Sequence, residues 1–163
     1  MNNVYITSAA RTAVGSLGKT LKNVRAEELG STVINEVIKN SKIKKSEIDE
    51  VIMGQVLTGL TGQNPARQSA ISANIPIEKT AYVINQVCGS GLRSVAAAYQ
   101  SILSNDAKII IAGGQESMSN STEEAMLKDG LIDAYNNYHM GITAENVADK
   151  WQITREDQDN FAV

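Results

Sequence analysis

The chain has 163 residues and a formal net charge of −3, and its 42% hydrophobic residues plus 12 glycines make it about half apolar, the share of a globular rather than a disordered chain. The small negative charge gives no reason to expect nucleic acid or an anionic membrane surface as a partner. One cysteine and one histidine exclude an internal disulfide and a clustered metal site. The uncharged stretch 51–66 is broken by Gly, Gln and Thr and is too short to span a membrane, and no basic segment followed by an apolar block opens the chain, so a cytoplasmic setting is expected.

Residues 4–8, β-branched and aromatic, read as a first strand. Over 25–40, Leu29, Val33, Ile34, Val37 and Ile38 recur at helical spacing and predict an amphipathic helix with one buried stripe. Lys39, Lys42, Lys44 and Lys45 complement its C-terminal end. Ser46, with Asp49 three residues on, has the form of a weak capping box opening a short helical turn. Val51, Ile52 and Met53 make a second apolar run, followed by a glycine-bearing loop over 54–64. Pro65 stands where a helix over 66–73 would begin. A strand is predicted over 81–87, then a helix over 92–103 with Val95, Ala96, Tyr99 and Leu103 on one face. After a turn at Asn105-Asp106, the three isoleucines within 108–112 suit a strand buried on both faces. Residues 115–138 are polar and irregular, and 143–163 read as helix with a restart at Thr154, an N-cap followed by first-turn acids.

Strand and helix alternate, which defines an α/β fold with at least partly parallel strands, and 81–112 form one right-handed βαβ unit. The only cysteine, in Val87-Cys88-Gly89-Ser90-Gly91-Leu92-Arg93-Ser94, falls between that unit's first strand and its helix. A side chain on a sharp strand-to-helix turn is pushed out of the sheet, and Gly89 and Gly91 permit unusual backbone and close substrate approach. A helix N-terminus favours thiolate over thiol and offers N–H groups to a developing oxyanion. Together these describe a nucleophile for acyl transfer; the plainer alternative is a small buried hydrophobe. A dinucleotide fingerprint fails, because Ser94 stands where the third glycine belongs and no acid closes the next strand.

Five segments occur in order: SAARTAVGSLG at 8–18, GQNPARQSA at 62–70, INQVCGSGLRSV at 84–95, GGQESMS at 113–119 and YHMGITAENVA at 138–148. In these the chain resembles the N-terminal half of the thiolase family, most closely its short-chain, biosynthetic acetyl-CoA acetyltransferases. The resemblance implies a layered fold with a mixed sheet between helices on both faces over 1–114, part of a shortened inserted loop domain over 115–163, and no C-terminal half. It implies that Cys88 is acetylated by acetyl-CoA and that its own N–H contributes to an oxyanion hole. His139 and Met140 match the pair lining the acyl and pantetheine end of the pocket. His139 is not implied as the base, since the family's catalytic histidine and second cysteine lie on C-terminal motifs that do not occur in this sequence.

Coenzyme A thioesters are the implied substrates, acetyl-CoA and acetoacetyl-CoA, with no cofactor or metal. A homodimer is implied as well. Only residues 120–125 stand where the family carries a longer excursion with the hairpin that joins dimers into tetramers. Two functions follow as alternatives: a part of an acyltransferase that is inactive alone, or a non-catalytic module that keeps the fold and dimer surface.

Overall fold

The computed structural model describes residues 3–163. It divides into two compact units, the first ending at Thr122 and the second running from Glu123 to Val163.

In the first unit the order is α1 (Ala26–Ser41), β1 (Glu50–Gly54), α2 (Pro65–Ser72), β2 (Thr80–Ile84), α3 (Ser90–Leu103) and β3 (Ile110–Gly114). Helix α1 starts where Glu28 Oε2 accepts from the Arg25 amide at 2.8 Å, and it ends at Lys42 in the left-handed region. Helix α2 starts at Pro65, whose missing N–H costs nothing there, with the Asn64 side chain accepting from the Arg67 amide at 3.1 Å. The three strands lie in the order β2-β1-β3 and are all parallel, with Glu50 opposite both Thr80 and Ile110. The antiparallel member that a mixed sheet requires is not among the described residues.

This order fixes the layers. The step from β1 to β2 goes one way along the sheet and the step from β2 to β3 goes back across it, so right-handed crossovers put α2 and α3 on opposite faces. On the α2 face, Val51 and Met53 of the central strand meet Ile34 and Ile38 of α1 and Ala66, Ala70 and Ala73 around α2, with Ile48 and Ile75 closing the core. Ile52, on the alternate face, is fully buried as well. The alternation places Gly54 with Ile52, facing α3.

Three expectations from the sequence are corrected here. Residues 4–8 form no strand: Tyr5 and Ile6 are both exposed and no ladder joins them to the sheet, because β-propensity makes a strand only where an edge pairs with it. The short turn before β1 (Lys45–Glu47) is opened by Glu47 Oε2 accepting from the Lys44 amide at 2.9 Å rather than by Ser46. Asp49 is spent elsewhere, accepting from the Lys108 and Ile109 amides at 2.7 and 3.0 Å ahead of β3. The buried face of α3 is Ser90, Ser94 and Ala98, while Val95, Tyr99 and Leu103 on the predicted apolar face are exposed. Small side chains win that face because the strand ends below them are glycine. Strand β3 is half-buried rather than buried on both faces, since it forms a sheet edge.

Residues 115–122 are fastened to the first unit. Ser117 Oγ donates to the Val24 carbonyl at 2.8 Å, and Asn120 Nδ2 donates to Lys22 O and Val24 O at 3.0 and 2.9 Å.

The second unit comprises α4 (Glu123–Ala125) running into a π-helical turn over Met126–Leu131, then α5 (Met140–Trp151) and α6 (Arg155–Ala162). Thr154 does cap α6: its Oγ1 accepts from the Asp157 amide at 3.1 Å while Asp157 Oδ2 accepts from the Thr154 amide at 2.9 Å. No residue from 123 to 163 is buried. Among the described residues no helix is long and apolar enough to cross a membrane.

Candidate functional site

Beyond Ile84 the chain leaves the sheet and folds into the turn that carries Cys88. Asn85 Oδ1 accepts from the Val87 amide at 2.9 Å, Gly89 N–H donates to Gln86 O at 3.1 Å, and Ser90 N–H donates to Val87 O at 3.0 Å. Val87 sits at φ +48°, a conformation that costs a β-branched residue roughly 1–2 kcal/mol. The predicted strand over 81–87 therefore stops three residues early. The Ser90 hydroxyl spans the turn, accepting from the Gln86 amide at 2.8 Å and donating to Val87 O at 2.6 Å. Ser90 is 4% exposed, whereas Cys88 is exposed. The turn thus raises the thiol from the sheet at the first residues of α3.

The N-terminus of α3 is seated on the ends of β1 and β3. A Cβ on Gly54 would stand 2.3 Å from the Ser90 carbonyl carbon and 2.5 Å from the Gly91 nitrogen, and one on Gly114 would stand 3.3 Å from Gly91 Cα. Ser94 Oγ adds a tether, lying 2.7 Å from both Gly91 O and Gly113 O. Of the three residues expected at the oxyanion turn, Gly89 spends its N–H on Gln86 O, and Gly91 provides the close approach to Gly114. Among the described residues no hydrogen bond uses the Cys88 N–H.

A cleft of about 380 Å³ lies at the carboxyl ends of β1 and β2, lined by Gln55, Thr58, Asn64, Val83 and Asn85 among others. Adjacent parallel strands whose next helices go to opposite faces leave a crevice at that end, where α/β folds place ligands. Cys88 does not line it, but Asn85 joins the two through its bond to the Val87 amide. Beneath the cleft runs a buried polar chain: Ser69 Oγ donates to Gln115 Oε1 at 2.6 Å, Gln115 Nε2 to Gln55 Oε1 at 2.9 Å, and Gln55 Nε2 to Leu57 O at 2.9 Å. Gly30 of α1 makes room for it, since a Cβ there would stand 2.0 Å from Gln115 Oε1.

His139 and Met140 belong to the second unit, where both are exposed. His139 is the N-cap of α5, its Nδ1 accepting from the Gly141 amide at 3.0 Å. In the neutral ring that bond leaves the proton on Nε2, so the free edge is a donor rather than a base. Among the described residues no group of three His, Cys, Asp or Glu is placed to hold a metal ion.

Sequence reasoning missed Ser90, Ser94, Gln55 and Gln115. A signal existed for the serines: Ser90, Ser94 and Ala98 recur every four residues, one helical face of small side chains, as a helix laid on glycine backbone requires.

Residues 4–163 match the thiolase N-terminal domain, and the chain belongs to the thiolase family. Within it the chain is similar to an acetyl-CoA acetyltransferase of Rhizobium meliloti (51% identical over 99% of this chain and 45% of the relative), to one of Paracoccus denitrificans (52%, 100% and 46%) and to the cytosolic acetyl-CoA acetyltransferase of Mus musculus (47%, 98% and 44%). The chain therefore spans less than half the length of these relatives. The Paracoccus alignment extends over 179 positions against the 163 residues here, so the relative carries residues inserted with respect to this chain.

Proposed function

We propose that Cys88 is an acyl-accepting nucleophile and that the complete catalytic assembly built on this domain condenses two acetyl-CoA reversibly into acetoacetyl-CoA and CoA. The observation that carries this reading is the exposed thiol on a hydrogen-bonded strand-to-helix turn at the start of α3, in a chain about half identical to acetyl-CoA acetyltransferases. In the first half-reaction Cys88 Sγ, as thiolate, attacks the thioester carbonyl. The new S–C bond forms, the bond to the CoA sulfur breaks, and CoA leaves as a thiolate that takes up a proton. The Cys88 N–H, which no described group uses, faces the oxyanion role with least competition.

The second half-reaction needs a base at the α-carbon of another acetyl-CoA. The single histidine accepts from the Gly141 amide through Nδ1, which suits substrate binding by His139, with Met140 beside it, better than proton abstraction. These 163 residues alone are thus a half-site: competent to take an acetyl group, not to condense two. A cytoplasmic homodimer using CoA thioesters and no cofactor is the setting that fits.

Intact mass after incubation with acetyl-CoA tests the assignment. The expected result is one added acetyl group that hydroxylamine removes and that Cys88→Ser abolishes; a gain that persists in C88S overturns it. The second reading, a non-catalytic module, draws on the exposed Leu92, Val95 and Tyr99 of α3, an apolar face available to a partner, and no mass gain at all would favour it.

A further inference from the structure

We infer that Ser90 is a positioning residue for Cys88: its hydroxyl locks Val87 in the left-handed conformation and so fixes where the thiol and the Cys88 amide point. This rests on the acyl-cysteine reading above. A valine at φ +48° relaxes to an ordinary extended or helical conformation unless its surroundings hold it. Three bonds do so. The Val87 amide donates to Asn85 Oδ1, the Ser90 amide donates to Val87 O, and the Ser90 hydroxyl donates to Val87 O as well.

Only the hydroxyl reaches both sides of the strained residue, taking the Gln86 N–H with one lone pair and giving its proton to Val87 O. Like the Asn85 bond, it is removed by a side-chain change without touching the helix ladder. Ser90 has no room to shift, because its backbone lies against Gly54, and at 4% exposure bulk water does not replace it. The next atoms after the Val87 carbonyl are the Cys88 amide and Cα, so a rotation at Val87 swings the nucleophile and its oxyanion donor together.

Attack on a thioester needs Sγ and the Cys88 N–H in one geometry, whereas alkylation needs only an accessible thiol. Ser90→Ala is therefore expected to slow Cys88 acetylation by acetyl-CoA by ~10- to 100-fold, the scale of an ångström-level misplacement, while iodoacetamide alkylation stays near the parent rate. A purely structural role would lower both together. Val87→Asn, which tolerates the left-handed region, is expected to restore acetylation in the S90A background.

The backbone itself gives a readout independent of acetylation: the Val87 HN–Hα coupling and carbon shifts report positive φ in the parent chain and lose that signature in S90A. Should S90A fail to fold, Val87→Asn alone decides, since relief of a held strain raises the melting temperature of the chain. Unchanged acetylation and an unchanged Val87 signature in S90A, or a lowered melting temperature in V87N, overturn the inference. A parent chain that takes no acetyl group but shows the Val87 change loses the acyl-cysteine reading and keeps the positioning.

Discussion

The two units hold themselves together in different ways. The first has a core in which Val51, Ile52, Met53 and Ile34 are almost fully buried, and its polar clasps join residues far apart in sequence, such as Gln115 to Gln55 and Asp49 to Lys108. The second has no buried residue, and its bonds are local: Lys128 to Glu124, Arg155 to Asp159, Thr154 to Asp157 and Asp133 to the amides of Tyr135 and Asn136. Such bonds specify helix and turn but contribute only tenths of a kcal/mol each when exposed. Ile142, Val147, Trp151 and Phe161 remain in solvent. The thiol is therefore mounted on the rigid part, and the histidine expected to meet substrate stands on a part whose own contacts fix little beyond backbone conformation.

The sharpest way to break that comparison is one methyl group placed in each unit. Gly54→Ala puts a Cβ 2.3 Å from the Ser90 carbonyl carbon, where backbone rather than a flexible side chain must move. A loss of about 3 kcal/mol in urea unfolding is expected, with α3 and Cys88 displaced from β1. Gly141→Ala in α5 meets only His139 Nδ1 at 3.3 Å and is expected to change stability by less than about 0.5 kcal/mol. Equal effects from the two would erase the distinction.

Acid separates the units next. The amides of Lys108 and Ile109 hold the Asp49 carboxyl below its ordinary value, partly opposed by desolvation. A depressed folded pKa means that the stability is fully present above the unfolded value near 3.8 and is lost as pH falls through the folded value. Asp49→Asn keeps an acceptor and loses its charge. It is expected to cost about 1–2 kcal/mol at neutral pH and to flatten the acid limb of the first unit's stability curve. An acid limb of unchanged slope in D49N would remove Asp49 from the account. Asp157 is lowered as well, by the Thr154 hydroxyl and amide, but acid acts there on one helix end.

How much of this the sequence disclosed depends on whether the determinant was local. The αβ alternation, the restart at Thr154 and the cysteine turn were legible because periodicity, caps and glycine spacing act within a few residues. The failures share a cause in contacts between distant residues. Residues 4–8 have strand composition but pair with neither open edge of the sheet. Asp49 looks like a capping acid but serves residues 59 and 60 positions away. Helix α3 turns its small face to the sheet because Gly54 and Gly114 lie beneath it; the recurrence of Ser90, Ser94 and Ala98 marks that face, but the glycines it rests on belong to distant strands. For the site, Cys88 could be singled out; small-residue spacing marks Ser90 as a sheet-facing position, but its hold on the Val87 conformation is visible only in three dimensions.

The smallest expected effect tests whether the second unit is as local as its bonds suggest. Thr154→Ala removes the hydroxyl that accepts from the Asp157 amide and takes one donor from Asp157 Oδ2, while the Thr154 backbone N–H still reaches that carboxylate. Helix α6 has eight residues, shorter than isolated helices that persist in water, so the loss of one cap shifts it measurably towards coil. Carbon shifts over 155–162 should move part of the way to coil values while those of α5 stay fixed, because Gln152 already ends α5 in the left-handed region with its amide donating to Asp149 O. Helicity lost from α5 in the same variant would show that the two helices melt as one, and the second unit would then owe its order to more than its caps.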